Sequence, residues 1–228
     1  MAPNLSVLKG MFMENQQANK YRDFLTGLLM YLLLLPEFIL FVTVGSESVQ
    51  QNPIGIVSFF AFSIALYTTV PLLLERKIPI ESQKESSTKS TFYAIAIALL
   101  FTALKTVFYK QEQPKFVSEY SGFIQSSGII GIIGATLQHL YYFAEMVLSC
   151  YMLRAFQKAG ETIFNRKNIP YGGILLGVLW GFIVHTISQG ISVGLYMFVI
   201  SIVWGIIYLV AKKNRWLTYF LMTIMFIC

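Results

Sequence analysis

Tyr141–Leu153 reads YYFAEMVLSCYML, an apolar run that holds one carboxylate, Glu145. A charged side chain at the centre of a bilayer costs about 2.5–3.5 kcal/mol on insertion scales. Either this segment never enters a membrane, or the glutamate has a task inside one. The rest of the chain decides between them. Of its 228 residues, 56% are hydrophobic and 12% are charged. A soluble domain carries about 25% charged residues. Long apolar runs recur from Phe24 onward, and no soluble domain is evident. The chain therefore reads as an all-α integral membrane protein.

Seven candidate spans follow from the apolar runs: Phe24–Val44, Ile54–Leu74, Thr91–Phe108, Phe123–Phe156, Tyr171–Thr186, Ile191–Val210 and Trp216–Cys228. The fourth is long for one crossing, which takes about 20 residues. It is expected to start near Ser127 and to project beyond the bilayer. The seventh is short, and reads as a half-span or as a chain that continues. The first is too long for a signal-peptide core and no small-residue cleavage site follows it, so it reads as an uncleaved span.

Basic residues orient these spans. Lys9, Lys20 and Arg22 precede the first, and Arg76, Lys77, Lys84 and Lys89 follow the second. Arg154, Lys158, Arg166 and Lys167 surround the end of the fourth, and Lys212, Lys213 and Arg215 follow the sixth. All of these fall on one side, while the alternate loops carry only Lys110 and Lys115. The positive-inside rule then makes the N-terminus cytoplasmic. The net charge of +6 is thereby topological, and no nucleic-acid partner is expected. The expected division is a cytoplasmic segment over 1–23, N-terminal membrane helices over 24–121 and a membrane core over 122–228.

Glu145 belongs to a stripe. Steps of three and four residues lead back to Tyr141, Tyr142, Gln138, Gly134 and Gly131, and forward to Ser149. Such a face must look into the bundle, since lipid would not tolerate it. The fifth span, YGGILLGVLWGFIVHTISQG, holds a second stripe: Gly173, Gly177, Gly181, His185 and Gln189 recur every four residues. Glycines at that spacing let another helix approach closely. Gly177 and Gly181 are expected to seat this span on the fourth. Glu145 and His185 lie equally far from the intervening loop near Asn165, so an antiparallel hairpin would bring them to one depth. A carboxylate and an imidazole that meet there suffice for acid–base work on a water. The bland alternative is that the glycines only pack helices and that His185 is a satisfied buried polar group.

Other chemistries find less support. Catalytic zinc usually takes three protein ligands, and His139, six residues from Glu145, lies off its face; it reads as an interfacial residue beside Tyr141 and Tyr142. No metal or other cofactor is expected. Cys150 and Cys228 lie in apolar segments and form no disulfide framework; a buried apolar thiol such as Cys150 is usually inert. Glu37, beside Pro36, reads as a structural ion-pair partner of Lys105.

From Gly122 onward the chain resembles the CPBP family, the CAAX-protease and bacteriocin-processing membrane proteins also called Abi proteins. The family pattern runs Glu-Glu-x-x-x-Arg, a basic loop, Phe-x-x-x-His, then His-x-x-x-Asn. Here EMVLSCYMLRAF stands at the first motif and WGFIVHTISQG at the second. GIIYLVAKKNRWLTYFLMTIMF looks like the last two helices with their basic turn. Glu145 matches the catalytic glutamate and His185 the second-motif histidine. Gln189 falls where some members carry an oxyanion-holding asparagine. Met146 replaces the second glutamate and Cys150 the arginine; Gly181 takes the phenylalanine position, with Phe182 beside it; Met222 and Phe226 stand at the third motif. Losing one oxyanion donor costs about 10²–10³ in rate. The resemblance implies a metal-free endopeptidase of the bacterial cytoplasmic membrane that acts on a lipidated peptide or lipoprotein reached among membrane lipids. It equally admits lipoprotein N-acylation with a partner membrane protein, or a non-enzymatic bacteriocin-immunity or scaffold role.

Overall fold

A computed structural model describes residues 21–35, 53–77, 86–108 and 114–228. Among the described residues there are eight helices and no strand. Helix α1 covers 21–32. It is followed by α2 (Pro53–Lys77), α3 (Thr88–Phe108), α4 (Lys115–Ser127) and α5 (Ile129–Phe164). Then come α6 (Tyr171–Gln189), α7 (Ile191–Val210) and α8 (Arg215–Ile227). Four helical segments are long and apolar enough to cross a membrane: Val57–Lys77, Thr88–Val107, Tyr171–Gln189 and Ile191–Val210. That is the pattern of a multi-pass membrane protein.

Helix α5 is the central column. Its 36 residues extend to about 54 Å, against a hydrocarbon core of about 30 Å. It packs against α2, α4, α6 and α8. Most of its residues from Tyr141 to Gly160 are buried, Glu145 and Arg154 included. Helix α1 lies on its far half, where Gly27 abuts the Phe156 ring and the Phe24 ring lies tilted at 5.9 Å from it. Helix α2 joins the same core through Tyr67 and Phe60, so residues before and after Gly122 share one interior. Helix α7 packs against α6, α3 and α8, with Trp180 and Trp204 at 5.9 Å in between.

The fourth span does start near Ser127, at Ile129, and it is long, as expected; its outer bounds are corrected, since Phe123–Phe156 is not one helix. The run breaks at Gly128, whose φ of +59° lies in the left-handed region that suits glycine. The Gly128 N–H closes α4 on the Ile124 carbonyl at 2.8 Å. The chain then reverses, and α5 continues eight residues past Phe156, to Phe164. Helix α4 also takes up Lys115–Tyr120, which the charge pattern assigns to an outer loop. It folds back along α5, where Gly131 meets the Phe123 backbone.

One end of the bundle is tied by ions. Glu75, at the end of α2, accepts from Arg154 at 2.8 Å and from Arg215 at 2.5 Å. Lys213 reaches Glu161 at 2.6 Å, and Lys158 reaches Asp23 at 3.4 Å. Gln157 donates to the Ile169 carbonyl (2.9 Å) and accepts from the Gly172 N–H (3.0 Å), which pins the loop between α5 and α6. That loop begins with Asn165 in the left-handed conformation.

Candidate functional site

The four-residue stripe of α6 stays on one face for a geometric reason. Four residues of α-helix turn through about 400°, so such a stripe drifts by about 40° at each step. Between Gly177 and Val184 the helix is π. Its wider turn takes part of that drift back, and such segments often occur at functional sites. The widened turn sets the Trp180 carbonyl 2.9 Å from His185 Nδ1. A carbonyl only accepts, so Nδ1 carries the hydrogen and Nε2 is left as the nitrogen that can accept. The Trp180 indole stands edge-on to the imidazole at 4.7 Å.

The glycines do admit a close helix, but it is α7 rather than the expected α5. A Cβ at Gly181 would sit 2.7 Å from the Met197 carbonyl, and one at Gly177 would sit 2.9 Å from that of Phe198. Gly173 faces Ser201 and Gly205. Helix α7 presents small residues at that level, so two backbones can meet. Helix α5 meets α6 one residue round the helix, where Gly172 abuts the Leu153 carbonyl and Gly160 abuts Tyr171.

Gln157 marks one shared level of the two helices, because its side chain accepts from the Gly172 N–H at 3.0 Å. From that level Glu145 lies 12 residues back along α5 and His185 13 residues on along α6.

His185 and Gln189 line one cavity of about 260 Å³, together with Lys105, Lys115, Tyr196 and Phe226. Gln189 is exposed and His185 is buried. Lys115 is the link to Glu145. Its ammonium stands over the Tyr142 ring at 4.1 Å and the Phe226 ring at 4.3 Å. Burial holds the Lys115 ammonium below the usual lysine range, and the Glu119 and Glu145 carboxylates act against that burial. Glu145 itself is buried in the wall of α5, at 6% exposure.

Behind Lys115 lies a polar network that the sequence reading missed. Tyr142 donates to Glu119 Oε1 at 2.7 Å and accepts from Gln138 Nε2 at 2.5 Å. Gln138 also donates to Glu119, at 3.3 Å, and Lys115 pairs with it at 3.8 Å. His139 donates from Nδ1 to the Ala135 carbonyl (2.7 Å), and its Nε2 stands 3.7 Å from Glu119 Oε2. His139 is thus buried in the bundle beside Tyr142 and Tyr120. The stripe Gly131–Gly134–Gln138–Tyr142 does face inward, and its partner is α4. The signal for α4 was present: Pro114 at its start, Lys115 and Glu119 one turn apart, and apolar Phe116, Phe123 and Ile124.

Cys150 is buried, with its sulfur 3.8 Å from the Arg215 carbonyl and away from the cavity. The buried arginine of α5 is Arg154, one turn beyond it. The expected Lys105–Glu37 pair lies outside the described residues, because Glu37 is not among them. No group of three or more potential metal ligands occurs among the described residues. Comparison with family models, curated proteins and solved structures returned no match. The resemblance to the CPBP pattern therefore rests on the residues quoted for it.

Proposed function

We propose that this chain is a membrane-embedded enzyme of the CPBP type in a bacterial cytoplasmic membrane, acting on lipid-linked peptides or proteins. Its spans number about seven and its N-terminus is cytoplasmic, which puts the Glu75–Arg154–Arg215 end on the cytoplasmic side and the His185 cavity in the outer half of the bilayer. The observation that carries the reading is the cavity: a buried imidazole with an available Nε2 and an amide line it, together with Lys115, whose charge the Glu145 carboxylate supports against burial. A carboxylate and a neutral imidazole near one cation are the working parts of acid–base catalysis.

In the hydrolytic reaction Glu145 takes a proton from water as the oxygen adds to the scissile carbonyl, and passes that proton to His185 Nε2. The carbon–nitrogen bond then breaks, and the imidazolium returns the proton to the leaving amine. Lys115 lies near both groups, and its charge favours the ionised carboxylate before the transfer and opposes a lasting imidazolium after it. Gln189 offers an amide donor to the developing oxyanion.

The test compares lipids and peptides by mass spectrometry in membranes that contain the wild type or Glu145→Gln. The substitution keeps size and hydrogen bonding and removes the base. Product peptides that disappear with normal protein levels support the reading. Unchanged products, or none in either membrane, leave the scaffold or immunity role as the better account.

A further inference from the structure

From the same cavity we infer its ligand class: the phosphate-bearing, hydroxyl-bearing headgroup of an anionic lipid. The inference rests on reading the His185 cavity as the substrate site. Two ammonium groups, Lys105 and Lys115, line it. Ionisable side chains inside a membrane are costly and mark binding sites. Lys115 already has the Glu119 carboxylate at 3.8 Å and the influence of Glu145, and it is held over two aromatic rings. It belongs to the wall. Lys105 comes from a different helix, α3, and lines the same cavity. An anionic oxygen between the two relieves their repulsion and gains charge-assisted hydrogen bonds.

The third polar wall narrows the choice. With Nδ1–H given to the Trp180 carbonyl, His185 Nε2 accepts rather than donates. It suits a ligand hydroxyl, not a second anionic oxygen. Gln189 supplies an amide that can do either. A phosphate with a neighbouring hydroxyl, as in a phosphoglycerol headgroup, meets all three walls.

Size and surroundings favour a lipid over a free anion. The cavity of about 260 Å³ falls below the roughly 300–1,000 Å³ that drug-sized ligands fill. It holds a headgroup and leaves the rest of the molecule outside. Leu104 and Val107, next to Lys105 on α3, are exposed and apolar, as are Ile187 and Ile191 beside Gln189. Val193, Tyr196 and Met197 continue that apolar surface into the cavity. Acyl chains can lie there while the headgroup turns inward.

The experiment uses the full chain in detergent with equimolar phosphatidylglycerol and phosphatidylcholine, and counts retained lipid by native mass spectrometry. Phosphatidylglycerol should be preferred. Lys105→Gln should cut that preference about tenfold, the loss of one charge-assisted contact, and Lys105→Arg should keep most of it. Equal retention of both lipids, or an unchanged preference in Lys105→Gln, would overturn the inference. Displacement of the lipid by millimolar inorganic phosphate would keep the anion site but overturn its lipid occupant. The enzymatic reading is scored separately by products. Lost lipid preference with products intact removes only the headgroup assignment; intact preference with products indifferent to Glu145→Gln removes only the catalytic one.

Discussion

Glu145 and Lys115 show how one residue stands out in a sequence and another does not. Glu145 stands out because a carboxylate in an apolar run has few harmless explanations, and the structure buries it in α5. Lys115 reads as a loop charge, because a short helix with one lysine and one glutamate looks in sequence like a solvated connection. Only its packing against α5 turns it into part of the site. The clearest structural test at this scale is Tyr142. Its hydroxyl bridges Glu119 and Gln138. Tyr142→Phe should therefore cost about 1–3 kcal/mol, the penalty for a buried acceptor that loses a donor. A thermal melt in detergent measures it, and a change within a few tenths of a kcal/mol would mean that water replaces the hydroxyl. At His185, an alanine substitution should abolish product without lowering protein level. The double variant with Glu145→Gln should be no worse than either single one, since residues that act as a unit are non-additive.

At the scale of elements, α6 was legible in outline and its neighbour was not. A glycine every four residues announces a close helix contact, but glycine has no side chain to say which helix arrives. The contact goes to α7, so Gly181→Leu should part α6 from α7. The extra carbons meet backbone of Met197 and Phe198 rather than a movable side chain. The loss should exceed the roughly 1–3 kcal/mol typical of overpacking, read as a fall in melting temperature; Gly134→Leu, which meets only the Phe123 ring, should be milder. Equal effects would contradict the assignment. At Gly128 the length of the run pointed to a helix start near Ser127, but not to a chain reversal, because SSGIIGIIG carries no charge or proline to mark one. The ion pairs at the other end act on whole helices too. Arg154→Met leaves Glu75 partly buried with only Arg215, and should cost up to about 3–5 kcal/mol, the range for breaking a buried pair. Denaturation of the purified protein measures it.

For the whole molecule, composition alone made a multi-pass helical protein legible, because 12% charge and recurrent apolar runs leave little else. The proposed orientation rests on the placement of the basic residues. A cysteine placed between positions 45 and 52 should react with an impermeant reagent from outside, and one placed at Lys84 should not; labelling of position 84 from outside would reverse the topology. What sequence could not supply was the fold-back of α4 along α5, which brings Lys115 over the Tyr142 ring and into the lining of the cavity that holds His185. The central proposal is that Glu145, His185 and Lys115 serve one reaction. Peptide and lipid mass spectrometry of membranes with wild type or Glu145→Gln at equal protein level tests it most directly. The account predicts product peptides in the first and none in the second; the same products in both would contradict it.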